Sequence, residues 1–277
     1  MRLTDVSKTA IVTLRSHALE SQKSNPILDD PMAQYCLDKL IPLATEEEKT
    51  LLFNRKLSTS LTSHIAIRAR KYDSIINNFI SNNPASIVVN LGCGFDTRYW
   101  RIDNNKCEYI ELDLPAVTEI KKDILKEHLK YEIIGCSVLD SSWIDRVSSK
   151  GNRNFLLVAE GLFMYLPKAD VINLFKTLAD KFCHSQIVLE VVTEKYTRGI
   201  WKKIVEMKIK RNLGFDAGSS YNFGVKNAFE LESYANGINI IDEWSYVEDP
   251  DIRPRILKYM GISRTQWTVT ATINADK

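Results

Sequence analysis

Between residues 86 and 115 a β-branched apolar stretch, Ile87 to Val89, leads into Gly92-Cys93-Gly94, and a second run, Glu108 to Glu111, then ends at Asp113. No other part of the chain restricts the fold so tightly. A strand that stops at paired glycines lets the backbone turn sharply and lets a ligand lie against bare main chain. Asp113 follows Gly92 by 21 residues, about the separation at which an acidic residue closing the neighbouring strand accepts hydrogen bonds from ribose hydroxyls.

What the turn lacks selects the ligand. A dinucleotide fingerprint needs a third glycine so that a helix N-terminus can approach pyrophosphate, but Phe95-Asp96-Thr97 follows Gly94, and a carboxylate there repels phosphates. S-adenosylmethionine has ribose and adenine without phosphate, and its sulfonium and ammonium are charges that Asp96 tolerates or binds. It is the predicted cofactor, with Gly92, Gly94, Asp96 and Asp113 as binding residues. The bland alternatives are two turn glycines and helix N-caps at Asp96 and Asp113.

At these residues the chain resembles the leucine carboxyl methyltransferase family, whose Leu-Gly-x-Gly-x-Asp-Thr-Arg turn and Glu-x-Asp-x-Pro strand end stand here as Leu91 to Arg98 and Glu111 to Pro115. Thr9-Ala10, Asp30-Pro31-Met32-Ala33 and the run Ala159 to Leu166 match further family segments, so that the similarity spans roughly residues 8 to 240. The resemblance implies that Glu160 sits beside the methionine part of the cofactor, that Tyr165 lines the substrate pocket, and that Arg68 contacts carboxylates in the active site, its fork suiting either the cofactor's carboxylate or an acidic substrate. Arg70 is a near-equivalent candidate, and His64, four residues before Arg68 on the same helical face, is a candidate base or, more plainly, a surface histidine. Most family members carry an acidic residue near adenine after the third strand; with Trp143 kept in register, Ser137 takes that place beside Val138. Adenine contact through Ser137 and Val138, or relayed through Asp140, is the expectation.

Before residue 86 the pattern is helical, over 9–21, 31–40 and a long segment 46–80 that breaks near Ser60. Strands are then predicted at 86–91, 107–112, 131–136, 154–159 and 185–192, alternating with helices of which 167–182 is the clearest. Such alternation predicts an α/β sheet, mostly parallel, with helices on both faces, and the resemblance implies that it is the Rossmann-like sheet of class I methyltransferases. Two later strands, 237–244 and 266–273, form its antiparallel edge. Residues 1–84 are predicted as an N-terminal helical cap on a cofactor domain, 85–277, which carries a helical insert at about 193–230 with a helix at 195–213.

With 37 basic and 35 acidic residues the chain has no basic excess of the kind a nucleic-acid surface needs. The N-terminus shows neither a signal peptide nor a membrane span, and a cytoplasmic location is the default. Cys36, Cys93, Cys107, Cys136 and Cys183 include no CxxC pair and are read as reduced thiols. The four histidines show no HExxH spacing, so no metal is expected. Lys202, Lys203, Lys208, Lys210 and Arg211, interleaved with Trp201, Ile204 and Val205, describe a cap helix with a solvated basic face, or a surface for a membrane or acidic partner.

The predicted activity is transfer of a methyl group from S-adenosylmethionine to a carboxylate of a small molecule or peptide, with Arg68 and Tyr165 as catalytic residues. A carboxyl group of pKa ~4 is ionised at neutral pH and needs no base, whereas a phenol of pKa ~10 does. The alternatives are a polyketide-type hydroxyl or an RNA carboxyl as acceptor, or a cofactor-binding module without catalysis. A nicotinamide dehydrogenase is opposed by the absent third glycine.

Overall fold

Six consecutive buried residues make β1 (Ser86–Leu91) an interior strand of a seven-stranded sheet in the computed structural model, which describes residues 4–182, 184–214, 221–253 and 265–274. Both faces of the strand are apolar. Ile87, Val89 and Leu91 enter one hydrophobic cluster and Val88 enters another on the opposite side, as period-two alternation requires of a strand covered on both faces. β2 (Cys107–Asp113) and β4 (Phe155–Ala159) flank β1 in parallel, β3 (Glu132–Gly135) lies outside β2, and β5 (Ser185–Val192) lies outside β4. The edge is antiparallel: β7 (Gln266–Ile273) runs against β5, and β6 (Ile238–Trp244) runs against β7. Every predicted strand is present, with ends within one residue of expectation.

The order β3-β2-β1-β4-β5-β7-β6 reverses direction between β1 and β4. Open α/β sheets bind ligands at the carboxyl ends of the strands beside such a switch. Gly92, Asp113 and Glu160 all stand at those ends.

Helices α1 (Asp5–Ser21) and α2 (Pro31–Leu40) precede the sheet, each opened by a side-chain cap, Thr4 on Ser7 N and Asp30 on Ala33 N. A short α3 (Glu46–Glu48) runs into a π-helical turn, Lys49–Asn54, and α4 (Thr59–Asn82) restarts where the Ser58 hydroxyl accepts from Leu61 N. That cap fixes the predicted break near Ser60. α5 (Pro115–Leu125), α6 (Ser141–Ser148) and α7 (Lys168–Lys181) fill the crossovers. The predicted helix over 195–213 is divided, a 3₁₀ turn at Glu194–Thr197 followed by α8 (Gly199–Leu213).

Tyr72, Ile76, Phe79 and Ile80 of α4 pack on one face of the sheet, while α6 and α7 cover the other. α1 and α2 share a third cluster with Val117, Ile124 and Leu125 of α5 and with Phe95 of the glycine turn. Cys36, Cys93, Cys107 and Cys136 are free thiols; Cys183 lies outside the described residues, as do residues 215–220 of the predicted insert. Among the described residues no helix is long and apolar enough to cross a membrane, and no group of side chains has the makings of a metal site.

Candidate functional site

The turn after β1 needs glycine twice. Gly92 and Gly94 adopt φ of +64° and +52°, and a Cβ on Gly92 would lie 2.8 Å from Leu162 Cδ1, one on Gly94 2.6 Å from Ala10 Cβ. The second clash shows that α1 lies directly on the turn. Asp113 locks it from the other side, accepting from Gly94 N at 2.6 Å and from Leu114 N at 2.7 Å. Burial raises the Asp113 pKa despite those two backbone donors. Each oxygen retains a lone pair, as a ribose diol requires.

These residues open onto a cavity of about 830 Å³. All of the predicted site residues line it: Arg68, Gly92, Gly94, Asp96, Asp113, Ser137, Val138, Glu160 and Tyr165. Asp140 does not reach it. Its carboxylate caps α6 by accepting from Ser142 N at 2.8 Å, which removes the suggested adenine relay; the Ser137 hydroxyl is itself engaged, accepting from Leu139 N at 3.2 Å.

The floor is a buried ionic network. Arg68 Nε donates to Glu160 Oε1 at 2.7 Å and its Nη1 to Glu190 Oε2 at 3.1 Å. Arg98 spreads its three nitrogens over Asp73 (2.8 Å), Asp96 (2.5 Å) and Glu160. Arg101 joins Asp30 at 2.5 Å, Asp73 at 2.7 Å and Asp96 at 3.1 Å. Burial alone would push Glu160 and Asp96 up, but Arg68 and Arg98 hold Glu160 below the usual carboxylate range and Arg98 with Arg101 hold Asp96 far below it. Glu190 goes the other way, raised by burial that Arg68 only partly offsets. Three arginines against five carboxylates leave the floor net negative, which suits a cationic ligand. Asp96 is accordingly not a helix cap.

Arg68 and Arg70 are separated by their partners. Arg70 points away from the cavity and pairs with Asp249 at 2.9 Å and Asp251 at 2.8 Å. This clamp fixes the loop that carries Tyr246 over the His64 ring, centroid to centroid 4.0 Å. His64 is therefore no surface histidine. It lines the cavity with Nε2 shielded and unbonded among the described residues, and burial next to Arg68 and Lys208 lowers its pKa to about 3.

Sequence reasoning missed Glu190, Asp73, Arg101 and the ligating role of Arg98. Glu190 left a signal, a lone carboxylate within the apolar strand Ile187-Val188-Leu189-Glu190-Val191-Val192, since a charge so placed must find a partner.

The sequence profile of the leucine carboxyl methyltransferase family matches residues 10–179, more than half of the chain and nearly every element of the cavity floor. The chain belongs to this family. Its sequence is 29% identical over 271 residues, 94% of this chain and 91% of the other, to the tetracenomycin polyketide synthesis O-methyltransferase TcmP of Streptomyces glaucescens. It is 26% identical, over 68% of this chain and 65% of the other, to the S-adenosyl-L-methionine-dependent methyltransferase dpfgK of Gibberella zeae. A likeness in fold alone joins it to the magnesium protoporphyrin IX methyltransferase of Synechocystis, solved with S-adenosylhomocysteine, at a TM-score of 0.50 and 12% identity over 85% of this chain and 93% of that one. This methyltransferase depends on S-adenosylmethionine, and its glycine turn and carboxylate floor fit a cationic nucleoside of that kind. Thr9-Ala10, a family segment of no obvious chemistry, contributes the α1 surface that meets Gly94.

Proposed function

We propose that the methyl acceptor is a carboxylate of a small molecule, and that residues 1–84 with the insert at 193–230 act as the cap that shapes its pocket. The observation carrying this is the state of His64. Two imidazoles line the cavity: His17 is held on Asp30 at 3.0 Å, and His64, beside Arg68 and under Tyr246, has its pKa lowered to about 3, far too weak a base for a phenol of pKa ~10. A carboxylate arrives ionised, so the protein has only to align it and exclude water.

When bound, S-adenosylmethionine supplies an electrophilic methyl group on cationic sulfur. We assign Asp113 to the ribose, Gly92 and Gly94 to close backbone approach, Ser137 and Val138 to adenine, and Asp96 and Glu160 to the cationic end. Arg68 holds Glu160 and Glu190 with two of its nitrogens, leaving Nη2 to orient the acceptor, with Tyr165 beside it. The cavity falls within the ~300–1,000 Å³ usual for small-molecule sites, which favours a small acid over a peptide. TcmP is named for polyketide synthesis, which agrees with an acceptor of that size. A cytoplasmic home belongs to the same proposal and is supported by the four free thiols.

Mass spectrometry and alkaline treatment of the product test the proposal. A base-labile methyl ester is expected; a base-stable ether would refute it. Arg68→Lys keeps the charge and loses the planar fork, so turnover should fall at least tenfold, well beyond any change in cofactor affinity; normal turnover would remove Arg68 from the acceptor site.

A further inference from the structure

Three cations line the cavity among the described residues: Arg68, Arg98 and Lys208. The charges of both arginines are already matched, Arg68 by Glu160 and Glu190 with only Nη2 left as a donor, Arg98 by Asp73, Asp96 and Glu160. Lys208 forms no ion pair with any described carboxylate. It belongs to α8, where Trp201, Val205 and Lys208 recur at helical spacing and all face the cavity. Its charge, like that of Arg68, is felt at His64, which places it over the acceptor side of the cavity and not over the ribose at Asp113.

The floor beneath is net negative, an arrangement suited to the cofactor and hostile to an anionic acceptor. An acceptor with a negative group needs a cation that no carboxylate has already neutralised, and a lysine meets that need as a point charge on a flexible stem. Around it stand Tyr165, Tyr196, Trp201, Tyr221 and Tyr246. Ring faces in this number favour a planar aromatic body over an aliphatic chain.

We propose that Lys208 reads the charge of the acceptor, and that the acceptor is an anionic aromatic small molecule held between these rings with its negative group on Lys208 Nζ. This deepens the carboxylate assignment and rests on it for the identity of the group, but the binding site is tested without any methyl transfer. The probes are two fluorescent compounds with the same aromatic body, 8-anilinonaphthalene-1-sulfonate and its uncharged counterpart N-phenyl-1-naphthylamine, titrated into protein saturated with S-adenosylhomocysteine. The sulfonate should bind roughly tenfold more tightly, the value of one charge-assisted contact. Lys208→Met should erase that preference while leaving the affinities for the uncharged probe and for S-adenosylhomocysteine as they were. Lys203→Met, an exposed lysine of α8 that does not line the cavity, should keep it. The proposal is overturned if the native protein shows no preference, if the preference survives Lys208→Met, if Lys203→Met loses it equally, or if Lys208→Met weakens S-adenosylhomocysteine. Ether products together with a Lys208-dependent preference would instead remove the carboxylate assignment and leave this site standing.

Discussion

Asp113 and Glu160 are both buried strand-end carboxylates, yet their surroundings push them in opposite directions. Asp113 has only two backbone donors and its pKa rises with burial, while two arginines hold Glu160 down. Their assigned roles separate with two ligands. Asp113→Asn keeps an oxygen for Gly94 N but loses the charge, so calorimetry should show both S-adenosylhomocysteine and adenosine weakened by about tenfold. Glu160→Gln should weaken only the former, because adenosine lacks the amino-acid end; equal losses would make Glu160 structural. The raised Asp113 pKa has a sign as well. Ribose hydroxyls favour the ionised carboxylate, so cofactor affinity in the native protein should decline as pH falls, beginning above the usual carboxylate range. That Gly92, Gly94 and Asp113 meet at one cavity was readable because spacing along two adjacent strands is local information. Arg98 left no such trace, and Glu190 announced only that it needed a partner, since the partners are Asp73 and Arg68 of α4, far away in the chain.

α4 serves several surfaces at once. Its C-terminal half packs on the sheet through Tyr72, Ile76 and Phe79, while His64 and Arg68 face the cavity, Asp73 anchors Arg98 and Arg101, and Arg70 clamps the 249–251 loop. Helical periodicity placed His64 and Arg68 on one face. It could not show that Tyr246, from the other end of the chain, would cover the imidazole. Arg70→Gln should release that loop and loosen Tyr246 without touching the cofactor floor. A rise in the KM of the acceptor with unchanged S-adenosylhomocysteine affinity is expected from steady-state kinetics and calorimetry; a fall in cofactor affinity instead would mean that Arg70 supports the floor.

The sheet was legible because its interior strands are short, apolar and separated by helical periodicity, and because topology then places their carboxyl ends together. The split before α8 and the π-helical turn left no comparable signature. Stability should carry the mark of the buried imidazole. Unfolded, His64 titrates near 6.5, whereas folded it titrates at about 3. Above pH 6.5 both states are neutral there; below it the unfolded chain gains a proton that the native site resists, so stability is lost progressively as pH falls towards 3. Allowing for partial exposure, the loss by pH 5 is on the order of 1–2 kcal/mol. Urea titrations at pH 7 and pH 5 should show a smaller drop for His64→Gln than for the native protein, and identical drops would contradict the burial of this ring. α1, finally, presses Ala10 against Gly94 on the turn assigned to the nucleoside. A side chain at position 94 would have to push α1 off the turn, so the first helix and the glycine turn keep their shape together, and Gly94→Ala should disturb both.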